Sequence, residues 1–588
     1  MPETNMADIP VKGFAEEYRV ALDSVVKTSV IERIWAKDAS LWKDSLDAKD
    51  LIENSLGWLS LPGFGASRAG EIKEFALRVK GLGYKSAVVL GMGGSSLAPL
   101  LFSKTFKTSV GYPELFVLDS TDPSAIARLE KSINLEETIF IVSSKSGGTI
   151  EPLALFEHFY DSLSKIKRND AGKNFVSITD KGSYLEDLSK KLGFLNVFLN
   201  PKDIGGRYSA LSYFGLVPAA LKGMDIERLS GSAASMAKAC GKDVLADKNP
   251  GLALGLAIGI LASKGRDKLT FLLPEKLAPF GLWIEQLVAE STGKEGKGLV
   301  PIVNEPRIEA ENYSNDRVFI SVDYKVTPRP TPLGAGAPKG GSGGIQGGSS
   351  GKDILISLRN AGHPVLSFEI PDEYGLGGEF FRWEFATAVC GFTLGINPFD
   401  QPDVEIAKIK TKTILKEMED KGAARSSDAV FDGRRFKISF GPETLKKTNG
   451  HAKEFKRLLK EASYLGLLSY TDPEDEALNE AINSLRKSLL LSHGRPVQLG
   501  CGPRYLHSTG QLHKGGPAGG VFIIMATEKR YNDIAVMGKP YSFGTLEFSQ
   551  ALGDAQALDA KGRVTAFFDL NEVSAEAIKE VESFLCSD

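Results

Sequence analysis

The sequence predicts an α/β protein of two doubly wound parallel-sheet domains, with a helical segment before them and an additional α/β region after them. Three observations carry this. Short apolar runs alternate with helix-length patterns, as expected of parallel strands covered on both faces. Two of those runs end in turns rich in glycine and hydroxyl side chains that open helices. The 588 residues also exceed what a single core organises, since domains commonly hold roughly 50–200 residues.

In chain order, residues 1–82 read as helices with scattered aromatics, among them Trp35, Trp42 and Trp58. The first α/β domain, 83–245, carries apolar runs at Ser86–Leu90, Leu115–Leu118, Ile139–Val142 and Phe175–Ile178. The second, 246–433, carries strand candidates at Leu269–Leu273, Val318–Val322, Ile354–Leu358 and Val365–Ile370. Inside it, the stretch 334–351 (GAGAPKGGSGGIQGGSSG) is too poor in apolar side chains to order itself and reads as a flexible insertion. A nucleotide-binding loop is the rival for that stretch, but Gly351-Lys352 is followed by Asp353 where a P-loop has Ser or Thr. The third region, 434–588, mixes strands (Phe436–Phe440, Gly520–Met525) with long helices.

Composition excludes several function classes. The formal net charge is −3, with no polyanion-binding excess, so no nucleic-acid partner is expected. Cys240, Cys390, Cys501 and Cys586 form no CxxC pair and suit a reducing compartment. No basic-then-apolar leader opens the sequence, and no apolar run approaches the ~20 residues of a membrane span. A cytoplasmic protein without a membrane partner is the expectation. Six histidines without an HxH or HExxH spacing give no metal site.

The chemistry concentrates in four segments. Gly91-Met92-Gly93-Gly94-Ser95-Ser96 and Ser143-Ser144-Lys145-Ser146-Gly147-Gly148-Thr149 each follow an apolar run. Small residues let backbone N–H groups approach an anion at a helix start. The hydroxyls of Ser95, Ser144, Ser146 and Thr149 add donors for a phosphate, with Lys145 as a nearby cation. The first loop also imitates a dinucleotide fingerprint, with Asp119 at the distance of the ribose-binding acid. Ser96 at the third glycine position, the second hydroxyl-rich loop and the polar run Ser120-Thr121-Asp122 favour a phosphosugar over a dinucleotide. Next, Gly205-Gly206-Arg207-Tyr208-Ser209 aims a permanent cation from exposed backbone, suited to a developing oxyanion. Finally, Trp283, Leu287 and Glu290 share helical spacing that ends at Gly293. This puts a carboxylate on the last turn of an amphipathic helix, where it suits a base for carbon acids.

These segments, with Asn397–Lys408 (NPFDQPDVEIAK), resemble the glucose-6-phosphate isomerase family in order over roughly residues 55–575. The C-terminal stretches CGPRYLHSTGQLHKGGP and KPYSFGTLEFSQALGDAQAL more narrowly resemble the isomerase portion of bifunctional transaldolase–phosphoglucose isomerase proteins, standing here without a transaldolase segment. The resemblance implies two sugar-isomerase (SIS-type) domains and a cofactor-free aldose–ketose isomerisation between glucose 6-phosphate and fructose 6-phosphate, in glycolysis and gluconeogenesis. It implies Glu290 as the base between C2 and C1, Arg207 as the stabiliser of a cis-enediolate, and Lys408 as a helper in ring opening. Gly94, Ser95, Ser144, Lys145, Ser146, Thr149, Gly206 and Gln286 fall to phosphate and substrate binding. The family's ring-opening histidine usually lies between the glutamate and the lysine. Here the nearest match is Gly510-Gln511-Leu512-His513, so His513 is the first choice and His507 the alternative. A homodimer with the histidine from the partner subunit is implied by resemblance, and association with a separate transaldolase stays open. Two other readings stand beside this one. One is a dual phosphoglucose/phosphomannose isomerase, kept open by Thr292 where the common motif has Asn; the other is a non-catalytic SIS-type regulator that binds sugar phosphate.

Overall fold

The buried apolar runs pair side by side as parallel strands, because each is apolar on both faces and needs helices above and below. A computed structural model describes residues 13–325, 350–421, 428–529 and 532–587. In the first sheet, strands β1 (Ser86–Gly91), β2 (Glu114–Leu118), β3 (Thr138–Ser143), β4 (Phe175–Asp180) and β5 (Asn196–Asn200) lie in the order β2-β1-β3-β4-β5. All its pairings are parallel. The second sheet holds β6 (Lys268–Leu272), β7 (Val300–Ile302), β8 (Arg317–Tyr324) and β9 (Val365–Ile370) in the order β7-β6-β8-β9, again parallel.

The third region repeats the plan. Its strands are β10 (Ala429–Asp432), β11 (Phe436–Phe440), β12 (Tyr464–Ser469), β13 (Val497–Cys501), β14 (Gly520–Ala526) and β15 (Val564–Leu570), ordered β10-β11-β15-β14-β12-β13. The four strands from β15 to β13 are parallel, and β11 and β10 add an antiparallel edge. Among the parallel strands of each sheet, the first lies between the second and the third, so the chain leaves it in opposite directions. That arrangement opens a crevice at the carboxyl ends of the strands.

Two expectations need correction or placement. Ile354–Leu358 is not a strand but part of the helix Ser350–Asn360. Ile354, Leu355 and Leu358 are spaced for one helical face, and Leu358 is fully buried while Ile356 is 53% exposed. The glycine-rich insertion expected at 334–351 falls, up to residue 349, outside the described residues.

One apolar core runs from the N-terminal helices through the first and second sheets. The third region has a core of its own, yet it is welded to the others. Ala289, Val300 and Ile302 of the second domain share a cluster with Tyr464, Tyr470, Tyr505, Leu512 and Phe522. Two arginine–aspartate forks tie the third region to the first domain reciprocally. Arg128 Nε and Nη2 donate to the Asp472 carboxylate at 3.0 and 2.8 Å. Arg504 Nε and Nη2 donate to Asp119 at 2.7 and 2.6 Å. Both aspartates are buried, so each needs its fork to offset desolvation. Among the described residues, no helix is long and apolar enough to cross a membrane.

Arg504→Ala strands the buried Asp119 charge and should lower unfolding stability by about 3 kcal/mol. The Asp119→Ala/Arg504→Ala double variant should lose less than the two singles together. Denaturant melts that leave the Arg504→Ala midpoint at the wild-type value would refute the fork as a clamp.

Candidate active site

The first loop sits where three segments converge. After β1, Gly93 adopts φ +55°, and a β-carbon there would lie 2.6 Å from the His507 carbonyl oxygen and 2.8 Å from Gln286 Nε2. A β-carbon on Gly94 would fall 1.9 Å from the Gly206 carbonyl oxygen. Glycine is required at both positions for the loop to touch the Arg207 turn and the His507 segment at once. Asp119 does not await a ribose: it accepts from Ser96 Oγ at 3.2 Å and from the Arg504 fork. The dinucleotide imitation is thereby a structural link.

In the second loop, Ser144 Oγ and Thr149 Oγ1 share a hydrogen bond of 3.0 Å, and Ser146 Oγ accepts from the Gly148 N–H at 3.3 Å. Thr149 is the N-cap of the helix Ile150–Lys167 but does not cap it with its side chain. The loop therefore gathers hydroxyls at a helix start whose N–H groups point outward. Lys145 departs from expectation. Its ammonium donates to the carbonyls of Lys202 and Ile204 at 3.1 and 2.6 Å, bracing the chain that leads into Gly206 instead of standing as an unengaged phosphate cation.

The helix Ala278–Thr292 buries Trp283 and Leu287 and brings Gln286 and Glu290 to the same edge. Gln286 Nε2 donates to Glu290 Oε2 at 3.2 Å and to the His507 carbonyl at 2.8 Å. Glu290 Oε1 lies 3.3 Å from Arg207 Nη1, with side-chain exposures of 14% and 2%. Arg207 is otherwise held by neutral acceptors. Its Nε donates to Ser291 Oγ (2.7 Å), Nη1 to Gln401 Oε1 (3.0 Å), and Nη2 to the carbonyls of Pro398 (2.8 Å) and Asp400 (3.0 Å). Lys294, which sequence reasoning passed over, donates to the same Asp400 carbonyl and to Asp400 Oδ1, both at 2.6 Å.

The structure places the two candidate histidines in different surroundings. His513 is fully buried, and its Nε2 donates to Gln498 Oε1 at 2.8 Å. Gln498 Nε2 is itself committed to the Pro301 carbonyl at 2.9 Å. Burial, then the charges of Lys514 and Arg563, hold the His513 imidazole well below its ordinary pKa. It is a neutral joint in the interdomain core. His507 instead comes to the convergence point, where its Nε2 donates to Glu151 Oε1 at 2.9 Å. Burial opposes the His507 imidazolium, yet the Glu151 carboxylate outweighs it and raises the pKa above 6.5. Burial likewise opposes the Glu151 carboxylate, and His507 outweighs it and lowers that pKa. Glu151 was not foreseen. Its sequence signal was an acid on the first turn after the second loop, and nothing in the local pattern says that it is buried.

Lys408, on the helix Val404–Lys421, is half-exposed and donates to Glu405 Oε1 at 2.6 Å. The structure keeps it out of contact with the cluster, though near enough for its charge to oppose protonation of His507.

Comparisons with known proteins show what the chain is similar to. Residues 68–302 match the family model described as phosphoglucose isomerase. A probable glucose-6-phosphate isomerase of Methanococcus maripaludis is 30% identical over 378 residues, covering 61% of this chain and 83% of that protein. A glucose-6-phosphate isomerase of Carboxydothermus hydrogenoformans is 29% identical over 401 residues, covering 62% and 85%. Among solved structures, a hypothetical protein of Thermus thermophilus shares the fold with a TM-score of 0.55 and 24% identity, covering 69% of this chain and 99% of that one.

The His507–Glu151 pair sets a pH window. The lowered Glu151 pKa contributes stability that is present above the ordinary 4.5 and lost as pH falls through its folded value. The raised His507 pKa contributes stability that is full below 6.5 and lost as pH rises through its folded value. An NMR titration of the His507 imidazole should therefore give a midpoint above 6.5. In Glu151→Gln, burial is opposed only by the weaker pull of Glu290, and the midpoint should drop. An identical midpoint in both proteins would separate the two groups.

Proposed function

Because the chain belongs to the phosphoglucose isomerase family, we propose that it interconverts glucose 6-phosphate and fructose 6-phosphate through a cis-enediolate. The observation that carries the reading is convergence: the Glu290 carboxylate, the Arg207 guanidinium and the His507–Glu151 pair meet beside two hydroxyl-bearing loops.

The sugar's phosphate sits on the backbone of Gly94 and Ser95 and the hydroxyls of Ser144, Ser146 and Thr149. The protonated His507 donates to the ring oxygen as its bond to C1 breaks and the O1 hydroxyl proton passes to solvent, and the neutral imidazole left behind stays hydrogen-bonded to Glu151. Lys408 stands at the margin of this step. Glu290 takes the C2 proton and returns it to C1, while Arg207 faces the oxygens on which negative charge develops. Its other N–H groups are already fixed by neutral acceptors, so its charge needs no reorganisation when the enediolate forms. Gln286, which donates to both Glu290 and the His507 carbonyl, keeps base and acid in register.

The phosphomannose alternative draws no support from the placement of Thr292. The Thr292 side chain is fully buried, donates to the Val288 carbonyl at 2.8 Å and accepts from the Leu299 N–H at 2.9 Å. It braces the helix end.

Glu290→Gln should retain substrate affinity and lose roughly 10²–10⁴-fold in turnover, the usual worth of a positioned acid–base group. The readout is a coupled assay from fructose 6-phosphate with EDTA present. Near-normal turnover would dismiss Glu290 as the base. His507→Ala should depress turnover by a similar factor, and His513→Ala should chiefly lower the melting temperature. The reverse pattern would return the acid role to position 513.

A further inference from the structure

Among the described residues, every hydrogen bond that the Glu151 carboxylate receives from another side chain comes from the third region. Oε1 accepts from His507 Nε2 at 2.9 Å and from Gln550 Nε2 at 2.6 Å. The orientation of the Gln550 amide is set by Thr121 Oγ1, which donates to its Oε1 at 3.4 Å. The segment bearing His507 is tied down at both ends. Before it, Arg504 forks onto Asp119. After it, Gln511 Nε2 donates to the Gly293 carbonyl at 3.0 Å and to Asp403 Oδ2 at 2.8 Å, and Gln511 Oε1 accepts from the Asp403 N–H at 2.8 Å.

Beneath these contacts the third region shares an apolar cluster with Ala289, one residue from the base. Arg486 adds two bonds to the second domain, from Nη1 to the Asn304 carbonyl at 2.7 Å and from Nη2 to the Val303 carbonyl at 2.9 Å. Buried polar contacts of this kind and a continuous core mark a permanent junction, not a transient encounter.

We propose that the third region is a built-in cap that supplies and orients the site's histidine within the same chain, so that one chain is a complete catalytic unit. The inference rests on the isomerase reading for its catalytic half, but the pairing of His507 with Glu151 in one chain is a statement of structure. Arg207, Glu290, Gln286, Glu151, Gln550 and His507 need no second copy to come together.

Two measurements on the full-length protein test it. In the first, His507→Ala and Glu290→Gln chains are unfolded, mixed in equal amounts and refolded together, with wild type treated alike as the control. A histidine acting in cis gives activity no higher than the two variants refolded separately. A histidine shared across a two-fold dimer restores about a quarter of wild-type activity by random pairing, which would overturn the proposal. In the second, wild-type chains labelled at histidine are refolded with an excess of unlabelled Glu151→Gln chains, and the labelled His507 is titrated by NMR. A single unchanged midpoint supports pairing in cis; a second population with a lowered midpoint refutes it. The second measurement needs no catalysis, so a wild-type control inactive on fructose 6-phosphate would count against the isomerase reading while the titration still decides the cap.

Discussion

At Gly93 and Gly94 the backbone of the first loop is wedged between the Arg207 turn and the His507 segment, with less than a β-carbon's room on either side. Most of the proposed chemistry hangs on that approach. Arg207 follows Gly206, whose carbonyl abuts Gly94. His507 carries the carbonyl that abuts Gly93, and Gln286, whose amide fills the remaining gap, lies one helical turn before Glu290. A loop without side chains thus acts as a spacer. It fixes how far the cation, the acid and the base stand from one another, and the hydroxyls of the neighbouring loop stand beside it.

Such an approach has to be held against the tendency of charged groups to regain water. Asp119, Asp472 and Glu151 are all buried near the junction of the first and third regions. Each is answered by donors from the other side: Arg504 for Asp119, Arg128 for Asp472, and His507 with Gln550 for Glu151. Separating the regions would strand several carboxylates together. The junction is therefore cooperative in a way that an apolar contact alone is not. The apolar cluster around Ala289 and Leu512 supplies attraction, and the forks supply register.

Much of this was legible in the sequence, and the rest was hidden for definable reasons. The runs around β1, β3, β6 and β8 announced a parallel sheet because buried strands are apolar without alternation. The same property made Ile354–Leu358 ambiguous, since a short apolar run does not reveal its period, and the exposed Ile356 settles it as helix. The Arg207 turn and the Glu290 helix were visible because glycine pairs and helical spacing are local signals. The choice between the two histidines was not. His507 and His513 lie six residues apart in one polar, glycine-containing stretch, and only the packing of that stretch turns one toward Glu151 and the other into a core beside Phe522. Glu151 was invisible for the same reason, since a carboxylate's burial depends on donors contributed by residues beyond position 500.

The pair of cations at the base of the site points the same way. Arg207 and Lys294 donate to one and the same carbonyl oxygen, that of Asp400. Bringing two positive groups onto a single acceptor is unfavourable, and Lys294 registers it: burial, then repulsion from Arg207, bring its pKa down to about 8, although Asp400 pulls the other way. An anion formed beside them would relieve that repulsion and be stabilised by both. A neutral sugar hydroxyl gains little from the arrangement, whereas an enediolate gains a great deal. Interactions that strengthen only as charge develops accelerate a reaction without tightening the ground state. The strain of two cations on one oxygen is thus directed at the proposed intermediate, and it is set up by a backbone carbonyl already in place.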